Sequence, residues 1–240
     1  MKTFNVLLIS LLTATAAFSQ TAEEILDKSQ KAMGGDAYND IKSMVTVGEA
    51  SMPGNIKADL SIYTKEGGKL LVLSKINAPG MTMEIKQGCN GEDCYSEDPT
   101  LGKRLLEGQE KEMMMMQNDF QAQANWRRLY SKVEYKGEGD VGGKKVHKVY
   151  VETEAGVKMT NAYDAETYIL LQSEGTSTMA MGTLNFTNLF EDYKDVGKGI
   201  LMPMTTKMNM MNMQMVMNFT EVELNAPIPD SKFDLPPGLK

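Results

Sequence analysis

The methionines set the strongest limit on this chain. There are 21 of them in 240 residues, and they recur at a step of two: Met81 and Met83, Met179 and Met181, Met202 and Met204, then Met208, Met210, Met211, Met213, Met215 and Met217 within ten residues. Alternate side chains of a strand point to the same face, whereas a helix scatters residues two apart, so the M-x-M step predicts strands with thioethers side by side on one sheet face. Met208 and Met210 share one parity and Met211 to Met217 the other, which calls for a turn near residues 210–213, or a bulge, between them. Methionine is unbranched and polarisable, so a face lined with it reshapes around apolar partners more readily than one of valine or isoleucine. Two readings stand at this point: the thioethers fill a core between two layers, or they line an adaptable apolar surface that takes a ligand.

Residues 1–19 combine a basic start at Lys2, an apolar run from Val6 to Leu12 and the small-residue exit Ala17-Phe18-Ser19. This is the pattern of a secretory signal peptide cleaved before Gln20. No later stretch has the eighteen or more apolar residues needed to span a bilayer. The expectation is an exported, soluble periplasmic protein with one domain over residues 20–240, since no Pro/Ser-rich linker interrupts the chain. Asp and Glu outnumber Lys and Arg by 32 to 25 with no basic stripe, which disfavours a nucleic-acid partner. Cys89 and Cys94 enclose Asn90-Gly91-Glu92-Asp93, a hairpin-turn sequence, and in an oxidising compartment they are expected to form a structural disulfide. Four intervening residues do not match the two of a redox C-x-x-C pair.

Thr21-Ala22-Glu23-Glu24 reads as a capping box, and Ala22, Ile25, Leu26, Ser29 and Met33 then share one side of a helix that stops at Gly34-Gly35. From Met44 the period becomes that of strands, with Met44–Ser51, Ile56–Lys65, Lys69–Ile76 and Met81–Gln87 joined by Gly- and Pro-containing turns. The stretch from Glu107 to Tyr130 is rich in helix formers and predicts one or two short helices. Four consecutive methionines, Met113 to Met116, cannot all face one way on a helix, so some must meet solvent, another chain or a ligand. Glu107, Glu110 and Glu112 read as a solvated helix face. After Lys132 six further strands are expected, with turns at Gly142-Gly143, Glu154-Ala155-Gly156, Asp164-Ala165-Glu166, around Gly182 and at Gly197-Lys198-Gly199.

The signal peptide, opening helix, antiparallel meander, mid-chain helical insert and closing hairpin together make the mature chain resemble the outer-membrane lipoprotein-sorting family of the LolA and LolB type. The likeness is carried by Ala22-Glu23-Glu24-Ile25-Leu26 with Gly34-Gly35, by Ile41-Lys42-Ser43 and by Gly102-Lys103-Arg104-Leu105-Leu106-Glu107-Gly108. It continues in Asn125-Trp126-Arg127-Arg128-Leu129-Tyr130 and Phe233-Asp234-Leu235-Pro236. The resemblance implies an α+β, mostly antiparallel β fold: a curved half-barrel of about ten to eleven strands with an N-terminal helix and a mid-chain helical lid. It also implies a periplasmic carrier or sorting protein, not an enzyme, that shields acyl chains of lipoproteins or a similar apolar ligand. An envelope membrane protein would act as donor or acceptor. No residue among Arg104, Arg127 and Arg128 matches the arginine that holds the carrier's lid closed.

The candidate ligand-binding residues are Met81, Met83, Met113, Met116, Met179, Met181, Met211, Met213, Met215, Met217 and Trp126. Trp126 also reads as an anchor of a short helix to the core. A soft thioether cluster is the ligand set that selects Cu(I), so a Met-rich copper-binding protein is the alternative, and a non-enzymatic envelope scaffold is a third. No cofactor or metal is assigned. His147, the only histidine, is expected to be an exposed strand residue, and Asn185-Phe186-Thr187 and Asn218-Phe219-Thr220 read as strand positions. There is no G-x-S-x-G or H-E-x-x-H motif.

Overall fold

The computed structural model describes residues 20–116, 119–179, 182–210 and 213–239. The expected signal peptide lies outside them. Helix α1 (Ala22–Ala32) begins as its capping box dictates: the Thr21 hydroxyl accepts from the Glu24 amide, and the Glu24 carboxylate accepts from the Thr21 amide. A 3₁₀ turn (Gly35–Asp40) follows. Six strands then run as a meander: β1 (Ser43–Met52), β2 (Ile56–Lys65), β3 (Lys69–Ala78), β4 (Met81–Asn90), β5 (Cys94–Asp98) and β6 (Gly102–Leu106). Helices α2 (Gly108–Met116) and α3 (Phe120–Ala124) and a 3₁₀ turn (Trp126–Arg128) make up the insert. A second meander comprises β7 (Lys132–Val141), β8 (Lys144–Glu152), β9 (Lys158–Asp164), β10 (Leu170–Met179), β11 (Gly182–Asp195), β12 (Leu201–Met210) and β13 (Met213–Leu224).

Among the described residues these strands form one antiparallel sheet in the order β6-β5-β4-β3-β2-β1-β13-β12-β11-β10-β9-β8-β7. The first strand pairs with the last, so the two meanders fuse at β1 and β13, and the free edges are β6 and β7. Those edges are neighbours in sequence. The chain leaving one must cross the opening of the curved sheet to reach the other, and the helical insert is that crossing. The strand count exceeds expectation. Strands β5 and β6 are five residues long and carry Glu97, Asp98, Lys103 and Arg104, a charged stretch with little apolar alternation. Their pairing is made by the hairpin itself, with Glu97 opposite Lys103 and an ion pair of 3.3 Å between them. Seven strands, not six, follow the insert.

Register defines an inner face, covered by the helices, and an outer one. On β3, Leu70 and Val72 pack inward with Ile62 and with Met114 and Met115 of α2. Leu71 and Leu73 point outward beneath Ala226, Ile228 and Phe233 of the C-terminal segment. Two strand glycines let the sheet curl. A Cβ on Gly48 would lie 2.4 Å from the Asn218 carbonyl oxygen, beside the irregularity in the β1–β13 pairing, and one on Gly175 would lie 2.2 Å from the Lys158 carbonyl oxygen. Only glycine admits so close an approach of the neighbouring strand. No helix among the described residues is long and apolar enough to cross a membrane.

Candidate ligand-binding site

Helix α2 is amphipathic along its axis and not around it. Its first half, Gln109-Glu110-Lys111-Glu112, is polar, and its second half is Met113 to Met116. The polar half is tied to both flanks of the sheet. On one side, the Gln109 amide donates to the Ala155 and Gly156 carbonyls, each at 3.1 Å, and accepts from the Thr178 amide at 2.6 Å. Thr178 lies past the start of β9, whose pairing with β10 reaches only Lys158 opposite Thr176, so the side chain takes the place of a strand partner. Glu112 accepts from the Thr153 hydroxyl at 2.8 Å and the Ala155 amide at 3.0 Å. On the other side, Arg104 of β6 grips Glu110 in a two-pronged pair, one bond being 2.8 Å, and Lys111 faces Asp93 at 3.5 Å. Hydrogen bonding to Glu110, the largest influence, raises the Arg104 pKa. The acidic residues of α2 are therefore not a solvated face: Glu110 and Glu112 are tethers, and Glu107, which precedes the helix, is exposed.

The methionine half divides between the same two flanks. Met113 and Met116, three apart, pack with Val149, Val151 and Met159 of the β7–β11 half. Met114 and Met115 pack with Leu70, Cys89, Cys94 and Leu106 of the β1–β6 half. All four are half-buried. A helix wedged between two walls accommodates an apolar run that no single wall could. Beneath its C-terminal end lies a cavity of about 490 Å³, bounded by Met115, Met116, Phe120 and Leu129 above and by Tyr38, Ile41, Gly67, Gly68 and Gly91. Its wall also includes Glu112, Asp119 and Arg128, so it is less apolar than an acyl pocket drawn from methionine content alone. The Cys89–Cys94 disulfide closes the β4–β5 hairpin at its side.

Of the other predicted methionines, Met215 and Met217 lie along the inner face. Strands β12 and β13 meet with Met210 opposite Met213 and Met208 opposite Met215, which resolves the parity change as a hairpin. Met215, Met217 and Phe219 pack over Ala50, Ala58 and Leu60, a floor of mostly small side chains on β1 and β2. Met213 is exposed, as is Met81; Met83 faces Ile76 across the β3–β4 pair. Met181 and Met211 lie outside the described residues, as does the side chain of Met179, whose backbone ends β10. The methionines of α2 and of β13 are thus brought to the inner face; Met83 takes that face too, in the cross-strand row Met217, Ala50, Ala58, Ile76, Met83, while Met81 is exposed beside the β3–β4 turn.

Trp126 does not line the cavity. It is buried with Ile25 and Leu26 of α1, and its indole N–H donates to Asp27 at 2.7 Å. Arg127 holds the same carboxylate at 2.7 and 3.1 Å, which keeps the Asp27 pKa below its usual range. This is the anchor role. His147 corrects the expectation of an exposed residue: it is 8% exposed on the inner face of β8, stacked on Tyr168 and 3.3 Å from the Tyr135 hydroxyl. The lysines around it make the segment read as surface, but the strand period puts His147 on the inner face with Val149 and Val151, both of which are buried. The tethers Arg104, Gln109, Glu110 and Glu112 carry no sequence signal: Gln109 and Glu112 meet residues 153–178, far along the chain, and the Arg104–Glu110 pair forms only where the strand turns into the helix.

The chain matches no family model and no curated protein. Among solved structures it is similar to a domain described as outer membrane lipoprotein-sorting from Vibrio parahaemolyticus, with 13% identity, a TM-score of 0.59 and coverage of 89% of this chain and 97% of that one. It is similar to a DUF1329 family protein from Desulfovibrio piger (12% identity, TM-score 0.60, 90% and 98% covered) and to a LolA superfamily protein from Nitrosomonas europaea (15%, 0.59, 90% and 99%). At these identities the likeness establishes the fold, a LolA-like open half-barrel, over nearly the whole described chain.

Proposed function

We propose that this LolA-like half-barrel is a periplasmic carrier that shelters acyl chains of lipoproteins, or a similar apolar ligand, against the methionine face of β12 and β13 under the α2 lid. One observation carries the reading: flexible thioethers at Met215 and Met217 lie over the small side chains of Ala50 and Ala58. An ordinary core places large branched residues on such a floor. Here the volume is filled by side chains that can swing aside at little cost, so a guest can replace them. Burying a methylene contributes about 0.8 kcal/mol, so a dozen carbons supply on the order of 9 to 10 kcal/mol before the cost of association. The polar half of the lid is held by hydrogen bonds and ion pairs, which water can replace, and its methionine half by apolar contacts, which an incoming acyl chain can take over. The secretory pattern of residues 1–19 and the name borne by the Vibrio parahaemolyticus domain support the compartment and the cargo class.

The test is binding of a fluorescent acyl probe, with mass spectrometry of organic extracts from protein purified without detergent. Saturable binding, weakened about tenfold or more by Met215→Gln with Met217→Gln, is expected. An extract free of lipid together with no saturable binding would refute the carrier. The register of Met208 with Met215 and Met210 with Met213 favours one second reading, since four thioethers on one face suit Cu(I). Stoichiometric Cu(I) uptake under reducing conditions, lost in the same double variant, would select it.

A further inference from the structure

Toward the β7 edge of the inner face the apolar lining is interrupted by a polar row in register. Val149 of β8 pairs with Asn161, Asn161 with Ser173, Ser173 with Asn188, Asn188 with Met208 and Met208 with Met215. Asn161 is 3% exposed and Ser173 is 6% exposed. The Asn161 amide nitrogen donates to the Tyr163 hydroxyl at 3.1 Å and reaches the Tyr130 hydroxyl at 3.5 Å, but its carbonyl oxygen has no partner. The side-chain oxygens of Asn188 and of Ser177, which is 1% exposed and farther along β10 on the same face, have none either. Turning the Asn161 amide over exchanges which end is unpaired and leaves one unpaired still.

A buried polar group without a partner destabilises a fold, and the neighbouring strand places Val149 opposite Asn161. We infer that the row Asn161, Ser173 and Asn188 is a headgroup subsite that recognises an uncharged hydrogen-bonding group, a hydroxyl or an amide, on the apolar ligand. The inference rests on the carrier reading above and adds the chemistry of the ligand's polar end. Carboxamides and hydroxyls both donate and accept, which suits such a group, and no charged side chain occupies these register positions to neutralise a phosphate or carboxylate. The row runs directly into Met208 and Met215. A ligand with its polar group at Asn161 has about four strand spacings, roughly 19 Å, of inner face over which to lay its chain.

The experiment displaces a fluorescent acyl probe with three ligands of one chain length: monopalmitoylglycerol for the hydroxyl, palmitamide for the amide, and methyl palmitate, which donates nothing. For the native protein, one or both donors should bind about tenfold more tightly than the methyl ester, and the tighter names the group. In Asn188→Leu and in Ser173→Ala the preference should fall to about twofold or less while methyl palmitate binds as before, and Asn188→Leu should raise the melting temperature of the free protein. Equal binding of all three ligands, or an undiminished preference in both variants, overturns the subsite and leaves the carrier standing. Binding of none overturns both.

Discussion

If α2 is a lid held by its tethers, then Glu110→Gln should loosen α2 and nothing else. The Arg104 and Glu110 side chains are 26% and 17% exposed, so the pair is only partly screened, and the two-pronged geometry is the strong form of such a contact. Glutamine keeps the shape and one acceptor but removes the charge and one prong. The Arg104 Nε is already buried without a partner, which leaves the guanidinium little alternative satisfaction. The cost is about 2 kcal/mol, which multiplies the open population of the lid by about thirty. Native-state hydrogen exchange reads this directly: amides of residues 108–116 should exchange about thirtyfold faster, while those of β1, β2 and β13 keep their rates. Glu112→Gln, on the opposite flank, should produce the same pattern, because the helix leaves both walls together. Glu107→Gln should change nothing, since Glu107 is exposed. Exchange in α2 unaltered by Glu110→Gln, or accelerated equally throughout the sheet, would refute a lid that opens as a unit.

Ala58→Leu fills the floor beneath Met215 and Met217; it should cost about 1 to 3 kcal/mol by overpacking and weaken acyl-probe binding while leaving α2 exchange as it was. Replacing both Cys89 and Cys94 with alanine should lower stability by up to about 2 kcal/mol, because the disulfide closes so short a loop, and a thermal melt in reductant should reproduce the shift. The pKa of Asp27 is depressed in the folded chain, so its contribution to stability is complete above the unfolded value near 4 and is lost as pH falls through the folded value. Asp27→Asn should therefore flatten the acid limb of a stability–pH profile; an unchanged limb would remove the anchor pair from the account. Trp126→Phe should destabilise α1 packing by about 1 kcal/mol and, contrary to a pocket role, leave probe affinity within twofold.

The helical start at Thr21, the strand period from Met44 onward, the interruption at Glu107 and the hairpin between Met210 and Met213 were legible because each is a local pattern. Capping, side-chain alternation and turn chemistry act within a few residues, and their signals survive in one dimension. Strands β5 and β6 were not legible, because their alternation is masked by charges that pair only across the hairpin. His147 reads as surface for a like reason: Lys148 beside it points the other way, and Lys144 and Lys145 lie exposed at the hairpin end of β8.

The sequence by itself determined a mostly antiparallel sheet with one methionine-lined face and a helical interruption. Tertiary structure alone decided that β1 pairs with β13, that β6 and β7 become the free edges, and that the helix between them is a bridge whose acids and methionines are shared out to two walls. It also decided that Asn161, Ser173 and Asn188 stand in one row. Those facts depend on the register of strands far apart in the chain, and no side chain encodes its partner until the sheet has curled and brought the two together.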